Sequence, residues 1–163
     1  MDRVCFVCTG NICRSPMAES VFRAHVERAG LHALVEVDSA GTGGWHEGDG
    51  ADPRTISVLE AAGYTQDHRA RQFHPSWFSR LDLVIALDAG HLRDLRALAP
   101  TARDAAKVRL LRSYDPAATA GPYDVPDPYY GPIGGFEDCL DLIEAAGPGL
   151  LDAVREAMKE HTA

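Results

Sequence analysis

The sequence predicts an α/β fold in which an open parallel sheet of four strands carries helices on both faces. Short apolar runs alternate along the chain with longer amphipathic stretches that begin and end with capping residues, which is typical of strands joined by helical crossovers. The length of 163 residues, with 45% apolar and 25% charged residues, suits one globular domain. No linker, repeat or low-complexity run divides the chain, so we expect a single domain over residues 1–163.

Four apolar runs are predicted as strands. Each is short and is bounded by charged residues or by a turn, as buried parallel strands are. The most regular of them is "LDLVIAL". In chain order the four runs are 4–7, 34–39, 81–87 and the weaker run 107–111.

The first helix is predicted directly after the first strand. Ser15 is a typical N-cap residue and Pro16 suits the first helical turn. Apolar residues then recur at helical spacing from 17 to 26, and Gly30 marks the end of the helix.

Three further helices are predicted from the same signals. One begins at the capping residue Asp52 and ends before Gly63. The other two cover 89–99 and 136–159, separated by turn-rich sequence at 113–135. Because Gly147 is followed by proline, the last helix is expected to be bent or interrupted there.

Charge and targeting signals limit the possible partners and locations. A net charge of −8 argues against nucleic acid and anionic membranes. No apolar run could span a membrane, and "MDRVCFVC" does not resemble a signal peptide. We therefore expect a cytoplasmic protein with reduced thiols, and its four cysteines are too few and too clustered for a disulfide scaffold.

The stretch "VCTGNICRSP" joins the first strand to the first helix and predicts a phosphate pocket. Backbone N–H groups of such a loop converge on one point, where the helix dipole adds partial positive charge. Gly10 leaves room, Asn11 tolerates left-handed dihedral angles, and the planar fork of Arg14 matches two phosphate oxygens. Cys8 would be stabilised as a thiolate at the floor of the loop and act as a nucleophile. The loop residues expected to surround phosphate are Thr9, Gly10, Asn11, Ile12, Cys13 and Ser15.

Cys5 and Cys8 have the C-x-x-C spacing of a redox pair or of half a zinc site. Three steps along a strand separate the Cα atoms by about 10 Å and direct the side chains to opposite faces, whereas a disulfide needs less than about 7 Å. Cys5 is therefore expected in the core. Zinc ligation with Cys13 or a histidine is disfavoured for the same reason, and we expect no metal and no other cofactor.

Segments beyond the loop extend this pattern. "VCTGNICRSPMAE", "SAGT", "DHRARQ", "LLRSYDP" and "DPYYG" occur in that order over nearly the whole chain. Together they resemble the low-molecular-weight protein tyrosine phosphatase family, bacterial type. The resemblance implies a flavodoxin-like sheet of four parallel strands, a single phosphatase domain without metal, and a cysteinyl-phosphate intermediate.

The resemblance also implies a general acid, Asp127. Hydrolysis of a tyrosine phosphate releases a phenolate whose conjugate acid has a pKa of about 10, so a proton must be supplied. Pro128 restricts Asp127 to extended dihedral angles, which helps to orient the carboxyl group. The nearby Asp124 is interpreted as a turn residue.

Supporting roles follow from the same resemblance. Ser15 could donate its hydroxyl to the Cys8 sulfur or serve only as a helix cap. Asn11 would hold the loop through Ser39 and His68, although Ser39 could simply satisfy the backbone and His68 could be an exposed histidine. These alternatives stay open at the level of sequence.

Cys13 lies in the same loop as Cys8. The resemblance implies that the two form a reversible disulfide, which would shield Cys8 from further oxidation. A small apolar filler is the alternative role for Cys13, and both roles are compatible.

Aromatic side chains are expected at the mouth of the pocket, because flat rings suit a phenyl substrate. Tyr129 and Tyr130 follow the acid, and Trp45 with His46 could form the opposite wall. The expected substrates are phosphotyrosine-containing proteins and small aryl phosphates, with inorganic phosphate and vanadate as inhibitors. The protein is expected to act as a monomer.

Three other functions compete with this one. An arsenate reductase on the same fold needs additional cysteines, for which only Cys5 and Cys139 are candidates. A protein-arginine phosphatase would carry threonine in place of Ile12 and would lack the paired tyrosines. A non-catalytic phosphate-binding module would not need Cys8, Arg14 and Asp127 together.

Overall fold

The computed structural model describes residues 1–118 and 121–162 and contains one sheet of four parallel strands in the order β2-β1-β3-β4. The strands are β1 (Asp2–Cys8), β2 (Val35–Gly41), β3 (Leu83–Ala86) and β4 (Val108–Leu110). Every neighbouring pair is parallel, so all carboxyl ends lie at one edge. The predicted sheet is confirmed, with each of the four predicted runs overlapping one strand.

Helices cover both faces of the sheet, as the alternating pattern predicts. They are α1 (Arg14–Arg28), α2 (Pro53–Ala61), α3 (Ala89–Leu98), α4 (Ala102–Ala105) and α5 (Ile133–Thr162). Two short 3₁₀ helices, Pro75–Ser79 and Leu111–Tyr114, and the single turn of α4 were not expected from the sequence. Among the described residues, no helix combines the length and the apolarity that crossing a membrane requires.

The central strand β1 divides the core in two. Phe6 and Cys8 point into a cluster with α1 and α5, whereas Cys5 and Val7 point into a second cluster that includes Leu95 of α3. Cys5 and Cys8 therefore lie on opposite faces of the sheet, and all four cysteines are free thiols. Burial raises the pKa of the Cys5 thiol far above its usual range, so this side chain is inert core.

The prediction that Ser15 caps α1 is wrong. The helix begins at Arg14 with Cys13 in the N-cap position, and no side chain caps it. Ser15 instead lies in the first turn, where its hydroxyl contacts the sulfur of Cys8. The glycine stops are confirmed: Gly30 and Gly63 follow their helices with φ of 71° and 87°.

Of the bend or interruption predicted for the last helix, the interruption is wrong, because α5 runs from Ile133 to Thr162 with Pro148 inside it. The flanking glycines have a packing role that the sequence does not reveal. A Cβ on Gly147 would overlap the ring of His25, and a Cβ on Gly149 would overlap the carbonyl of Tyr114. Both glycines thus allow α5 to approach its neighbours closely.

This packing makes Gly149→Ala a destabilising change. The added methyl group meets backbone, which cannot move aside, so we expect a loss of about 1–3 kcal/mol in the free energy of unfolding. Gly134→Ala is the matched control in the same helix, since a Cβ there meets nothing within 4 Å. It should be neutral or stabilising by up to about 1 kcal/mol. Urea unfolding of both variants checks this, and equal effects would contradict the packing role.

Candidate active site

The loop between β1 and α1 lies at the carboxyl edge of the sheet, where ligands of open α/β sheets bind. It forms the floor of a cavity of about 360 Å³. Most of the residues predicted for the site meet in this one cavity. Its lining residues are Cys8, Thr9, Gly10, Ile12, Cys13, Arg14, Trp45, His46, Asp127, Tyr129 and Tyr130.

Among the described residues, the sulfur of Cys8 has one polar side-chain partner, the hydroxyl of Ser15 at 2.9 Å. The same hydroxyl oxygen accepts a hydrogen bond from the amide of Asn11 at 2.8 Å. The Ser15 hydroxyl has one proton to donate. That proton is directed at the sulfur of Cys8, because the competing carbonyl of Ala40 is more distant at 3.4 Å. Ser15 can therefore stabilise negative charge on Cys8.

Asn11 has the left-handed backbone that the sequence predicted, with φ of 58°, and it is the one non-glycine among the described residues with positive φ. Its amide nitrogen donates to Ser39 at 3.1 Å, in addition to Ser15. Its side-chain oxygen accepts from the backbone N–H of Arg71 at 2.9 Å. His68 donates from Nε2 to its carbonyl oxygen at 2.6 Å. Every polar group of the buried side chain is thus satisfied, and both expected partners are in contact.

The hydrogen-bonding roles of two of these partners, Ser39 and His68, are fixed by their own surroundings. Ser39 donates its hydroxyl proton to Glu19 at 2.5 Å, which leaves its oxygen free to accept from Asn11. Burial lowers the pKa of His68, so the ring is neutral and donates to Asn11 as the Nε2–H tautomer. The sequence did not indicate Glu19 or Arg71.

The segment after β2 packs directly on the loop. The N–H of Thr42 donates to the carbonyl of Cys8 at 2.9 Å, and the N–H of Gly43 donates to that of Thr9 at 3.0 Å. A Cβ on Gly41 would lie 2.6 Å from the carbonyl oxygen of Thr9. The glycine of "SAGT" is therefore required by the close approach of two backbones.

Arg14 is almost fully buried, with 3% of its surface exposed. Its Nη1 donates to the carboxylate of Asp88 and to the carbonyl of Val125, both at 2.8 Å. Burial opposes ionisation of Asp88, but the N–H of His91 and the guanidinium outweigh it and hold the pKa of this carboxyl below its usual range. Asp88 also caps α3 through that N–H. In the sequence, Asp88 is marked only by its position directly after the predicted strand 81–87.

The two candidate acids have different positions. Asp127 is exposed, lines the cavity, and accepts a hydrogen bond from the N–H of Tyr129 at 3.1 Å. Asp124 instead accepts from the N–H of Ala89 at the start of α3, at 2.9 Å. Only Asp127 is therefore positioned toward a ligand in the cavity.

Arg54, which the sequence gave no role, connects α2 to the segment that carries Asp127. Its guanidinium contacts both carboxylate oxygens of Asp52 at 3.0 and 2.9 Å and donates to the carbonyl of Gly131 at 3.0 Å. It also lies over the rings of Tyr129 and Phe136, with 5.6 and 4.3 Å to the ring centroids.

The mouth of the cavity carries the predicted aromatic side chains. Trp45 and Tyr130 are 74% and 93% exposed, which is unusual for rings of this size. Tyr129 packs edge-to-face on Tyr130 with centroids 4.9 Å apart. His46 also lines the cavity, and its Nδ1 lies 3.3 Å from a carboxylate oxygen of Asp49.

The two other cysteines near the site are protonated thiols. Burial raises the pKa of Cys13 to about 12 and that of Cys139 to about 11. Cys13 lines the cavity, whereas Cys139 donates to the carbonyl of Pro126 at 3.1 Å. Within the described residues, no group of three or more His, Cys, Asp or Glu side chains is arranged to hold a metal ion.

Known proteins are similar to this chain in sequence and in fold. A sequence model of the family described as low molecular weight phosphotyrosine protein phosphatase matches residues 3–160. A Streptomyces coelicolor protein named low molecular weight protein-tyrosine-phosphatase is 74% identical over 161 residues, covering 99% of this chain and 98% of that protein. A Mycobacterium tuberculosis protein named low molecular weight protein-tyrosine phosphatase A is 50% identical over 155 residues, covering 95% and 93%. A crystal structure of a protein tyrosine phosphatase from Entamoeba histolytica has a TM-score of 0.90 at 34% identity, covering 97% and 99% of the two chains.

Proposed function

Because the chain belongs to the low molecular weight phosphotyrosine protein phosphatase family, we propose that it hydrolyses phosphotyrosine in proteins, and small aryl phosphates, through a phosphocysteine at Cys8. One observation carries this proposal. A buried thiol with a hydroxyl donor, a buried guanidinium and an exposed carboxyl group line one cavity, in Cys8, Arg14 and Asp127. These are the nucleophile, the oxyanion clamp and the acid that the reaction needs.

In the first step the phosphate lies in the loop, where backbone N–H groups and Arg14 bind its oxygens. The thiolate of Cys8 attacks phosphorus, and an S–P bond forms as the P–O bond to the phenol breaks. Asp127 transfers its proton to the departing oxygen, so tyrosine leaves as a neutral phenol. The products of this step are phosphocysteine, the free phenol and the Asp127 carboxylate.

In the second step water attacks the phosphorus of phosphocysteine. Asp127, now ionised, takes a proton from that water, and the S–P bond breaks to release inorganic phosphate. The electron pair returns to the sulfur of Cys8, where the Ser15 hydroxyl, 2.9 Å away, stabilises the thiolate. The enzyme is thereby restored with Asp127 protonated and Cys8 ionised.

The competing functions have less support. A disulfide relay of the arsenate reductase type needs a further cysteine besides Cys8 and Cys13. Neither candidate suits this role, because Cys5 is on the other face of β1 and Cys139 does not line the cavity. Ile12 and the paired tyrosines disfavour an arginine phosphatase. The relatives' names, and the presence of Asp127 in the cavity, favour catalysis over simple phosphate binding.

We also propose the substrates, inhibitors, oligomeric state and location of the enzyme. Phosphoproteins are its substrates, and phosphate and vanadate compete for the loop. The net charge of −8 supports the absence of nucleic acid and anionic membrane partners. We further propose a monomeric, cytoplasmic phosphatase, which sedimentation and cell fractionation would test.

The central test is Cys8→Ser. This variant should lose essentially all turnover of an aryl phosphate yet still bind phosphate or vanadate, because the loop and Arg14 persist. Turnover should also withstand a chelator, since no step uses a metal. Cys5→Ala is the control, because it removes a thiol from the opposite face of β1 and should keep turnover. Retained turnover in Cys8→Ser would refute the phosphocysteine mechanism.

The role of Asp127 is tested by its leaving-group dependence. Asp127→Ala should reduce kcat by about 10²–10⁴-fold, the range for loss of a general acid. The loss should shrink as the phenol becomes more acidic, because such a group departs without a proton. Asp124→Ala, which removes a carboxyl group bound at the start of α3, should show no such dependence. An equal loss on acidic and basic phenols would assign the proton to another donor.

We expect Asp127→Ala also to change the dependence of kcat on pH. Asp127 must be protonated in the first step, so the wild-type rate should fall as pH rises above its optimum. That alkaline limb should vanish in Asp127→Ala. Profiles of kcat against pH for both proteins check this, and an unchanged limb would contradict acid catalysis by Asp127.

Redox protection by Cys13 is the remaining proposal for this site. Peroxide oxidises the Cys8 thiolate to a sulfenic acid, and the Cys13 thiol then condenses with it to a disulfide with loss of water. Wild type treated with peroxide should regain activity with dithiol. Cys13→Ala should recover poorly, whereas Cys139→Ala, whose thiol does not line the cavity, should recover fully. Equal recovery of Cys13→Ala would refute the protective role.

A further inference from the structure

His91 is a buried polar side chain for which the sequence indicated no role. It lies on the first turn of α3 with 4% of its surface exposed. Its Nε2 is 2.8 Å from the hydroxyl of Thr9 and 3.4 Å from Nη2 of Arg14. The ring therefore contacts the first residue after Cys8 and the arginine that closes the same loop.

The tautomer of His91 follows from these contacts. A guanidinium can only donate, so Nε2 accepts and the ring proton is on Nδ1. That nitrogen is 3.2 Å from Asp88, although not in hydrogen-bond geometry. Burial first, and then the charge of Arg14, lower the pKa of His91 to about 4, against the opposing effect of the carboxylates Asp88, Asp94 and Asp127. The ring is thus neutral, and the hydroxyl of Thr9 also donates to Nε2.

The donors of Arg14 can then be assigned one by one. A guanidinium has five N–H groups in a planar fork. Both protons of Nη1 are used by Asp88 and the carbonyl of Val125, and one proton of Nη2 is directed at His91. Counting acceptors on the described residues alone, the two donors that remain are Nε–H and the second Nη2–H. Nε and Nη2 lie along one edge of the guanidinium plane, and N–H groups paired on such an edge can bind two phosphate oxygens.

We propose that His91 is a positioning residue that orients the phosphate-binding edge of Arg14 and fixes Thr9 at the start of the loop. This inference rests on the proposed function, because it concerns the same bound phosphate. Asp88 and Val125 hold only one of the two terminal nitrogens, so His91 supplies the contact at the other. Without it, Nη2 loses its acceptor and the bidentate edge is no longer aligned with the ligand.

The experiment compares His91→Leu with His91→Gln. Leucine fills the space without an acceptor, whereas the side-chain oxygen of glutamine can reach the position of Nε2. In His91→Leu we expect the dissociation constants of phosphate and vanadate to rise about tenfold or more. We expect kcat/KM for an acidic aryl phosphate to fall about 10–100-fold, the size of effect that small misplacements produce. His91→Gln should restore most of both quantities.

A purely structural role is separated by a control in the same helix. Leu95→Ala removes packing one turn further along α3, where Leu95 is buried in the second core cluster away from the loop. It should lower stability in urea more than it changes phosphate affinity. If Leu95→Ala weakened phosphate binding as much as His91→Leu, or if His91→Gln were as impaired as His91→Leu, the positioning role would be wrong.

The proposed function and this inference fail in different ways. Phosphate and vanadate titrations by calorimetry require no turnover, so they test His91 whether or not an aryl phosphate is hydrolysed. Absence of turnover in the wild type would refute the function alone. An unchanged phosphate affinity in His91→Leu would refute the inference alone.

Discussion

The rest of the site depends on the left-handed backbone of Asn11. A non-glycine residue in this region carries strain of the order of 1–3 kcal/mol and persists only where its surroundings hold it. Here the surroundings come from several other parts of the chain, namely Ser15 of α1, Ser39 of β2, and the loop residues His68 and Arg71. Hydrogen bonds within a protein contribute about 1 kcal/mol each, so four of them are enough to offset the strain. The loop therefore has its binding conformation before phosphate binds. The conformational entropy of fixing the loop is lost when the chain folds and not when the ligand binds.

Electrostatics of the pocket are local, because the protein as a whole is acidic. Arg14 is buried with Asp88 as a partner, so much of its charge is compensated before an anion binds. The field that selects phosphate then comes from oriented N–H groups and from two remaining guanidinium donors, whose directions are fixed. His91 fits this arrangement because it is neutral: a second buried cation beside Arg14 would be repelled, whereas a neutral imidazole can accept from it.

The extent to which the sequence predicted this structure depends on the range of each interaction. Strands, glycine stops and the loop from Cys8 to Arg14 are determined by neighbouring residues, and their predictions agree with the fold. Ser15 was misassigned as a cap because its hydroxyl bonds to a residue seven positions earlier rather than to the next turn. Gly147 was interpreted as part of a break in the last helix because its packing partner, the ring of His25, is 122 residues away in the chain (147 minus 25). His91 went unnoticed because its partners lie on other elements.

Nucleophile and acid come from distant parts of the chain, and the N-terminus of α2 connects them. The N–H of Asp52 donates to the carbonyl of Ile12 at 2.8 Å, which ties α2 to the phosphate loop. Two residues later, Arg54 donates to the carbonyl of Gly131 and lies over Tyr129, which ties α2 to the segment of Asp127.

The same helix end accounts for the second cysteine. Thr55 donates to the carbonyl of Cys13 at 3.4 Å, and the carboxylate of Asp52 adds to the burial that keeps the Cys13 thiol protonated. Cys8 is thus the cysteine in the loop with a hydroxyl donor for its thiolate, while Cys13 keeps its proton. A single short helix start therefore aligns the loop with the acid and keeps the neighbouring thiol from competing as a nucleophile.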